Sequence, residues 1–208
     1  MDFDTFLTTS KQAHNSVIAG GPKCGKTTMA IHIAKQLFKN NVKHGIVITN
    51  KPEEYQCLEN VHIYTEYDST HLCELMTRQK EQHKIEQEMM NIKHIERDYA
   101  LFILDIPIDV SLLNCDKMFR TLIMNPNGFR VSSIVVSRYI LDFTPPIRTS
   151  LGNILQFQDE TFKETDIKKR YDELCVGTMS LNKYDALCML DCFKSNEWVV
   201  YNCRQHSV

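Results

Sequence analysis

Residues 16–28 constrain this chain more than any other stretch. They read Ser16-Val17-Ile18-Ala19-Gly20-Gly21-Pro22-Lys23-Cys24-Gly25-Lys26-Thr27-Thr28. From Gly20 to Thr27 the spacing satisfies G-x-x-x-x-G-K-[ST], the pattern of a phosphate-binding loop. Val17-Ile18-Ala19 before it reads as a buried strand. Met29, Ile33, Leu37 and Phe38 after it share one face of a helix. Strand, glycine loop and helix together give the pattern its physical context.

The chemistry explains the spacing. Water solvates a polyphosphate well, so a protein must replace that water with many donors at once. Gly20 and Gly25 permit backbone angles and a close approach that a side chain would block. The N–H groups of Gly20, Gly21, Pro22-Lys23-Cys24, Gly25, Lys26, Thr27 and Thr28 are expected to surround a phosphate at the positive end of the next helix, Pro22 contributing shape rather than a donor. Lys26 would reach the β- and γ-oxygens of ATP, and Thr27 would hold Mg2+.

A second stretch completes the site. Tyr99-Ala100-Leu101-Phe102-Ile103-Leu104-Asp105 is nearly continuous in apolar residues, as a strand buried on both faces should be. Asp105 falls at its carboxyl end, where open α/β sheets place ligands. A carboxylate there would bind Mg2+, directly or through water, beside Thr27. Its alternative reading is a cap on the following turn.

At 208 residues the chain suits one domain. We expect a single unit over 1–208, with an N-terminal extension at 1–14 and C-terminal helices plus a last strand over 160–208. A formal net charge of −2 gives no general attraction to nucleic acid, so a DNA-handling role needs a local basic patch or a ring of subunits. No run of about eighteen apolar residues predicts a membrane span. The acidic start, Met1-Asp2-Phe3-Asp4, lacks an apolar signal region. The eight cysteines include no C-x-x-C pair, which argues against a zinc ribbon, and beside a phosphate loop they point to a reducing intracellular compartment. Cys188 and Cys192 are spaced as neighbours on a helix. Cys24 lies inside the loop, where a helix end lowers a thiol pKa, and redox sensitivity there is an expectation.

Further strands are predicted at 45–50, 61–64, 133–137, 153–157 and 198–201. Helical patterns cover about 72–97 and 110–124, and residues 166–193 read as two short helices. In and just before 72–97, His71, His83 and His94 lack compact metal-ligand spacing. Strands alternating with helices predict an α/β fold, a mostly parallel sheet with helices on both faces.

Several weaker segments follow the loop in a recognisable order. They are the Arg78-Gln79-Lys80 helix, Leu101–Asp105, Asn127-Gly128-Phe129-Arg130, Ser132–Tyr139, Pro145-Pro146-Ile147-Arg148-Thr149-Ser150, Lys169-Arg170-Tyr171 through Tyr184, and Trp198-Val199-Val200-Tyr201. In that order the chain resembles the DNA-packaging ATPases of nucleocytoplasmic large DNA viruses, the poxvirus-type branch of the FtsK–HerA superfamily of P-loop NTPases. The resemblance implies a RecA/ASCE-like fold, with Gly20–Thr28 as Walker A and Asp105 as the Walker B carboxylate. It implies ATP and Mg2+ as ligands. It also implies a phosphate-contacting role for Arg148, in trans or as a sensor, which places Arg148 with Lys26 and Asp105 among the catalytic residues. Without it, Arg148 is a surface arginine after a diproline turn. Arg130 carries the same two readings.

Two positions depart from that family. Its second acidic residue after Walker B is Ile106 here, followed by Pro107, and its γ-phosphate-sensing glutamine is Arg138. Asp109 is a candidate substitute for the missing carboxylate. Arg138 is either a new phosphate contact or a strand-end partner of Asp142. Nucleotide binding depends on the loop and Lys26, whereas turnover depends on placed water.

The leading functional expectation is a packaging motor subunit that couples ATP hydrolysis to translocation of double-stranded DNA into a capsid. Such a subunit would sit in a homo-oligomeric ring, with capsid or portal proteins as further partners, in the host cytoplasm at the viral factory and in the virion. A hydrolysis-deficient nucleotide-binding subunit is the second expectation. A P-loop small-molecule kinase is the third, opposed by the lack of an arginine-rich lid. DNA contact through Lys163–Arg170 is a further expectation, against a solvated helix face.

Overall fold

The computed structural model describes residues 7, 12–90, 98–157, 185–190 and 198–202. Eight strands form one sheet in the order β3-β2-β4-β5-β1-β6-β7-β8. They are β1 (Asn15–Ala19), β2 (Val42–Thr49), β3 (Val61–Tyr64), β4 (Tyr99–Asp105), β5 (Val131–Ser137), β6 (Asn153–Phe157), β7 (Asp185–Leu190) and β8 (Trp198–Asn202). The first six in spatial order run parallel, and β7 and β8 add antiparallel at the β6 edge.

The helices are α1 (Lys26–Lys39), α2 (Pro52–Tyr55), α3 (Ser69–Met90), α4 (Val110–Cys115), α5 (Lys117–Met124), α6 (Pro126–Phe129) and α7 (Pro145–Ser150), with a 3-10 turn at Ile140–Asp142. Alternation along each strand sends side chains to opposite faces. Leu101 and Ile103 meet the α1 face with Met29, Ile33 and Leu37. Ala100, Phe102 and Leu104 meet α3, α5 and α7 through Leu72, Leu75, Phe119, Leu122 and Ile147. Both faces are therefore covered, which is why β4 carries no polar residue before Asp105. The expected α/β P-loop NTPase fold, a mostly parallel sheet with helices on both faces, is the one observed.

Local chemistry explains the breaks. The pattern read as one helix over 110–124 divides at Asp116, whose carboxylate accepts from the amides of Met118 and Phe119 and starts a new helix. The reading of 166–193 as two short helices is corrected at Asp185–Leu190. That segment is β7, paired with β6 from Asn153↔Leu190 to Phe157↔Ala186. Ala, Leu and Met favour helix locally, and the unpaired edge of β6 overrides that preference. Cys188 thus lies in a strand rather than on a helix with Cys192. Cys192, residues 163–170, His94 and most of 1–14 lie outside the described residues.

Strand order positions the site. β5 lies between β1 and β4, so the loop after β1 and Asp105 after β4 are two strand spacings apart, about 10 Å. Both open at the carboxyl edge of the parallel sheet.

Candidate functional site

The loop between β1 and α1 is built on two glycines. Gly20 has φ +153°, and a Cβ there would lie 2.7 Å from Phe157 Cβ and 3.0 Å from Cys24 Sγ. Gly25 has φ +104° at the start of α1. Lys23 also takes a left-handed backbone, at φ 57°. The Gly20 amide donates to the Arg138 carbonyl at 3.2 Å, which ties the loop to the end of β5.

The first turn of α1 has no side-chain cap and no acidic residue. Its amides and the positive end of its dipole are therefore available to an anion. The Lys26 ammonium donates to the carbonyls of Gly20 at 2.7 Å and Gly21 at 2.6 Å. Phosphate oxygens would be better acceptors for it than these neutral carbonyls, because the bond becomes charge-assisted on both sides.

Thr27 and Asp105 meet as the sequence predicts. The Thr27 hydroxyl donates to Asp105 Oδ2 at 2.7 Å. That bond commits the hydroxyl hydrogen and leaves the oxygen's lone pairs for a cation. A hydroxyl beside a carboxylate at the sheet edge is a hard-oxygen donor pair, so these residues fit Mg2+.

Sequence reasoning missed Tyr55. Its phenol donates to the same Asp105 oxygen at 2.8 Å, and its side chain is fully buried. Burial first, then the Asp105 charge and hydrogen bond, push the phenol well above its ordinary pKa, so it stays a donor. Nothing in the spacing of residues 55 and 105 signals this contact. Only the pairing of β2 with β4, which sets Thr49 beside Asp105, brings them together.

A cavity of about 530 Å³ opens beside this cradle. Gly20, Pro22 and Lys26 line one side, Asn50 and Asp105 another, and Ser137, Arg138 and Asp142 a third. Ile106, Pro107 and Ile108 form an apolar wall directly after Asp105. Burial raises the Asp142 carboxyl above its usual range, and the nearby Arg138 charge opposes that rise. Among the described residues no ion pair joins Arg138 to Asp142. The Arg138 guanidinium lies 5.1 Å from the Tyr139 ring centre.

The remaining candidates are placed elsewhere. Asp109 is corrected as a substitute carboxylate: it is exposed and caps α4, accepting from the Ser111 amide at 2.9 Å. Arg130 lies at the amino end of β5, away from the cradle, in a buried ion pair with Glu86. Arg148 donates to the carbonyls of Phe143 at 2.6 Å and Leu141 at 3.4 Å. It braces the segment bearing Asp142.

Many solved structures share this architecture, among them the following. The genome packaging NTPase B204 from Sulfolobus turreted icosahedral virus 2, in complex with ATP-gammaS, superposes with a TM-score of 0.65 at 13% identity. The match covers 92% of this chain and 98% of that one. The pCW3 conjugation coupling protein TcpA, with ATPgS, gives 0.66 at 14% identity over 92% of this chain and 60% of that one. The cytoplasmic domain of the Thermomonospora curvata Type VII secretion ATPase EccC gives 0.61 at 11% identity, over 94% and 26%. At these identities the likeness establishes the fold. No protein-family model matches the sequence, and no curated protein matches it.

Proposed function

We propose that this chain binds ATP with Mg2+ in the cradle at Gly20–Thr28 and uses its hydrolysis to drive double-stranded DNA into a capsid. On this reading it is a poxvirus-type member of the FtsK–HerA superfamily, acting in a homo-oligomeric ring at the viral factory in the host cytoplasm. The carrying observation is the Thr27–Asp105 hydrogen bond beside Lys26, at the carboxyl edge of a parallel sheet. Support for the motor role comes from a fold that fits a viral genome packaging NTPase almost end to end.

Lys26 and the loop amides would bind the β- and γ-phosphates, and Thr27 with Asp105 would hold the cation, which neutralises charge on the phosphate oxygens. Arg138 presents a cation across the cavity. With Ile106 apolar, the carboxylate besides Asp105 that lines the cavity is Asp142, and it is our candidate for orienting water.

The apolar wall at Ile106–Ile108 favours a second reading, a subunit that binds nucleotide without hydrolysing it. Steady-state ATPase assays with and without duplex DNA separate the two. The motor reading expects DNA-stimulated phosphate release, a loss of about 10²–10³-fold in Lys26→Ala, and a loss of about 10²–10⁴-fold with ATP affinity retained in Asp142→Asn. Tight ATP binding without phosphate release supports the second reading. Equal rates for wild type and Lys26→Ala remove the enzyme claim.

A further inference from the structure

We infer that Tyr55 is a positioning residue for the Asp105 carboxylate, fixing it in the orientation that receives a divalent cation beside Thr27. The inference rests on the nucleotide-binding reading above and extends it to a residue outside both sequence motifs.

The short helix α2 places the phenol. Pro52 stands in its first turn and sets the backbone angle that starts it directly after β2. Tyr55 ends it, with the ring packed into the apolar layer that α1 also buries. From there the phenol reaches Asp105 Oδ2 at 2.8 Å, while Thr27 Oγ1 reaches the same oxygen at 2.7 Å. A carboxylate held by one donor can still turn about its Cβ–Cγ bond. Two donors from different elements, converging on one oxygen, fix that rotation and leave Oδ1 for the cation or its water. The ring cannot swing away, because it is fully buried. Outer-shell donors of this kind orient metal ligands, and losing one commonly costs about 10–100-fold in metal affinity.

A tyrosine that merely filled the core would leave metal dependence untouched, and this separates the two roles. The experiment measures ATPγS affinity of the full chain in excess EDTA and in excess Mg2+. It compares wild type, Tyr55→Phe, Asp105→Asn and the double variant. Phenylalanine keeps the buried ring and removes only the donor, and thermal unfolding verifies that each variant is folded. The expected result is that Tyr55→Phe keeps the EDTA affinity within about 2-fold while the tightening caused by Mg2+ shrinks by about 10–100-fold. In the Asp105→Asn background the same change should have no further effect on Mg2+ dependence, because the phenol acts through the carboxylate. An unchanged Mg2+ effect in folded Tyr55→Phe overturns the inference and leaves nucleotide binding standing. Failure of the wild type to bind ATPγS under either condition overturns both.

Discussion

His44 shows how burial decides a single side chain's charge. Desolvation, aided by the positive charges of Arg78 and His62, lowers its pKa from 6.5 to about 4. Its Nε2 lies 3.2 Å from the Gln79 amide nitrogen, a contact satisfied when the neutral ring accepts. The unfolded chain therefore binds a proton that the native state refuses between pH 6.5 and about 4. Native stability is full above that window and falls as pH drops through it. Urea midpoints at pH 7 and pH 5 should show this loss, and His44→Gln should flatten it. The placement of Lys26, Thr27 and Asp105 was legible because it follows from a fixed local spacing and from a strand end. Tyr55 was not, because its partner is supplied by strand pairing between distant segments. Asp142 was noticed only as a partner for Arg138, since cavity walls leave no periodic trace.

Among the elements, α3 is tied to the sheet by the buried pair between Glu86 and Arg130. Their side chains are 2% and 9% exposed, so removing either leaves an uncompensated charge. Glu86→Gln should lower the unfolding free energy by about 3–5 kcal/mol, and a double replacement by apolar residues should cost less than that. Urea denaturation measures both. Nucleotide affinity should survive Arg130→Met, because the pair sits at the amino end of β5. Arg130 carried two readings in sequence, a phosphate contact and a surface arginine, and its burial against Glu86 overturns the second. The strand direction, which puts Arg130 at the far end from the cradle, tells against the first. β3, β4 and β6 match their predicted bounds, and in β4 double-sided burial writes a continuous apolar run. β7 was not legible, since it takes its conformation from pairing with β6 and β8 rather than from its own residues.

For the whole molecule, ligand binding and folding share one free-energy scale. A ligand at about 100 times its dissociation constant stabilises the native state by about 2.7 kcal/mol. In a chain of this length each kcal/mol raises Tm by about 2–4 °C. ATP with Mg2+ at that excess should therefore raise Tm by roughly 5–10 °C, and Lys26→Ala should abolish the rise in a calorimetric scan. Because β5 separates β1 from β4, its end holds Gly20 through the Arg138 carbonyl and faces the cavity with the Arg138 side chain. Just beyond, Arg148 clasps the carbonyls of residues 141 and 143. Residues 137–148 thus join the rim of the cavity to α7 through a chain of main-chain contacts.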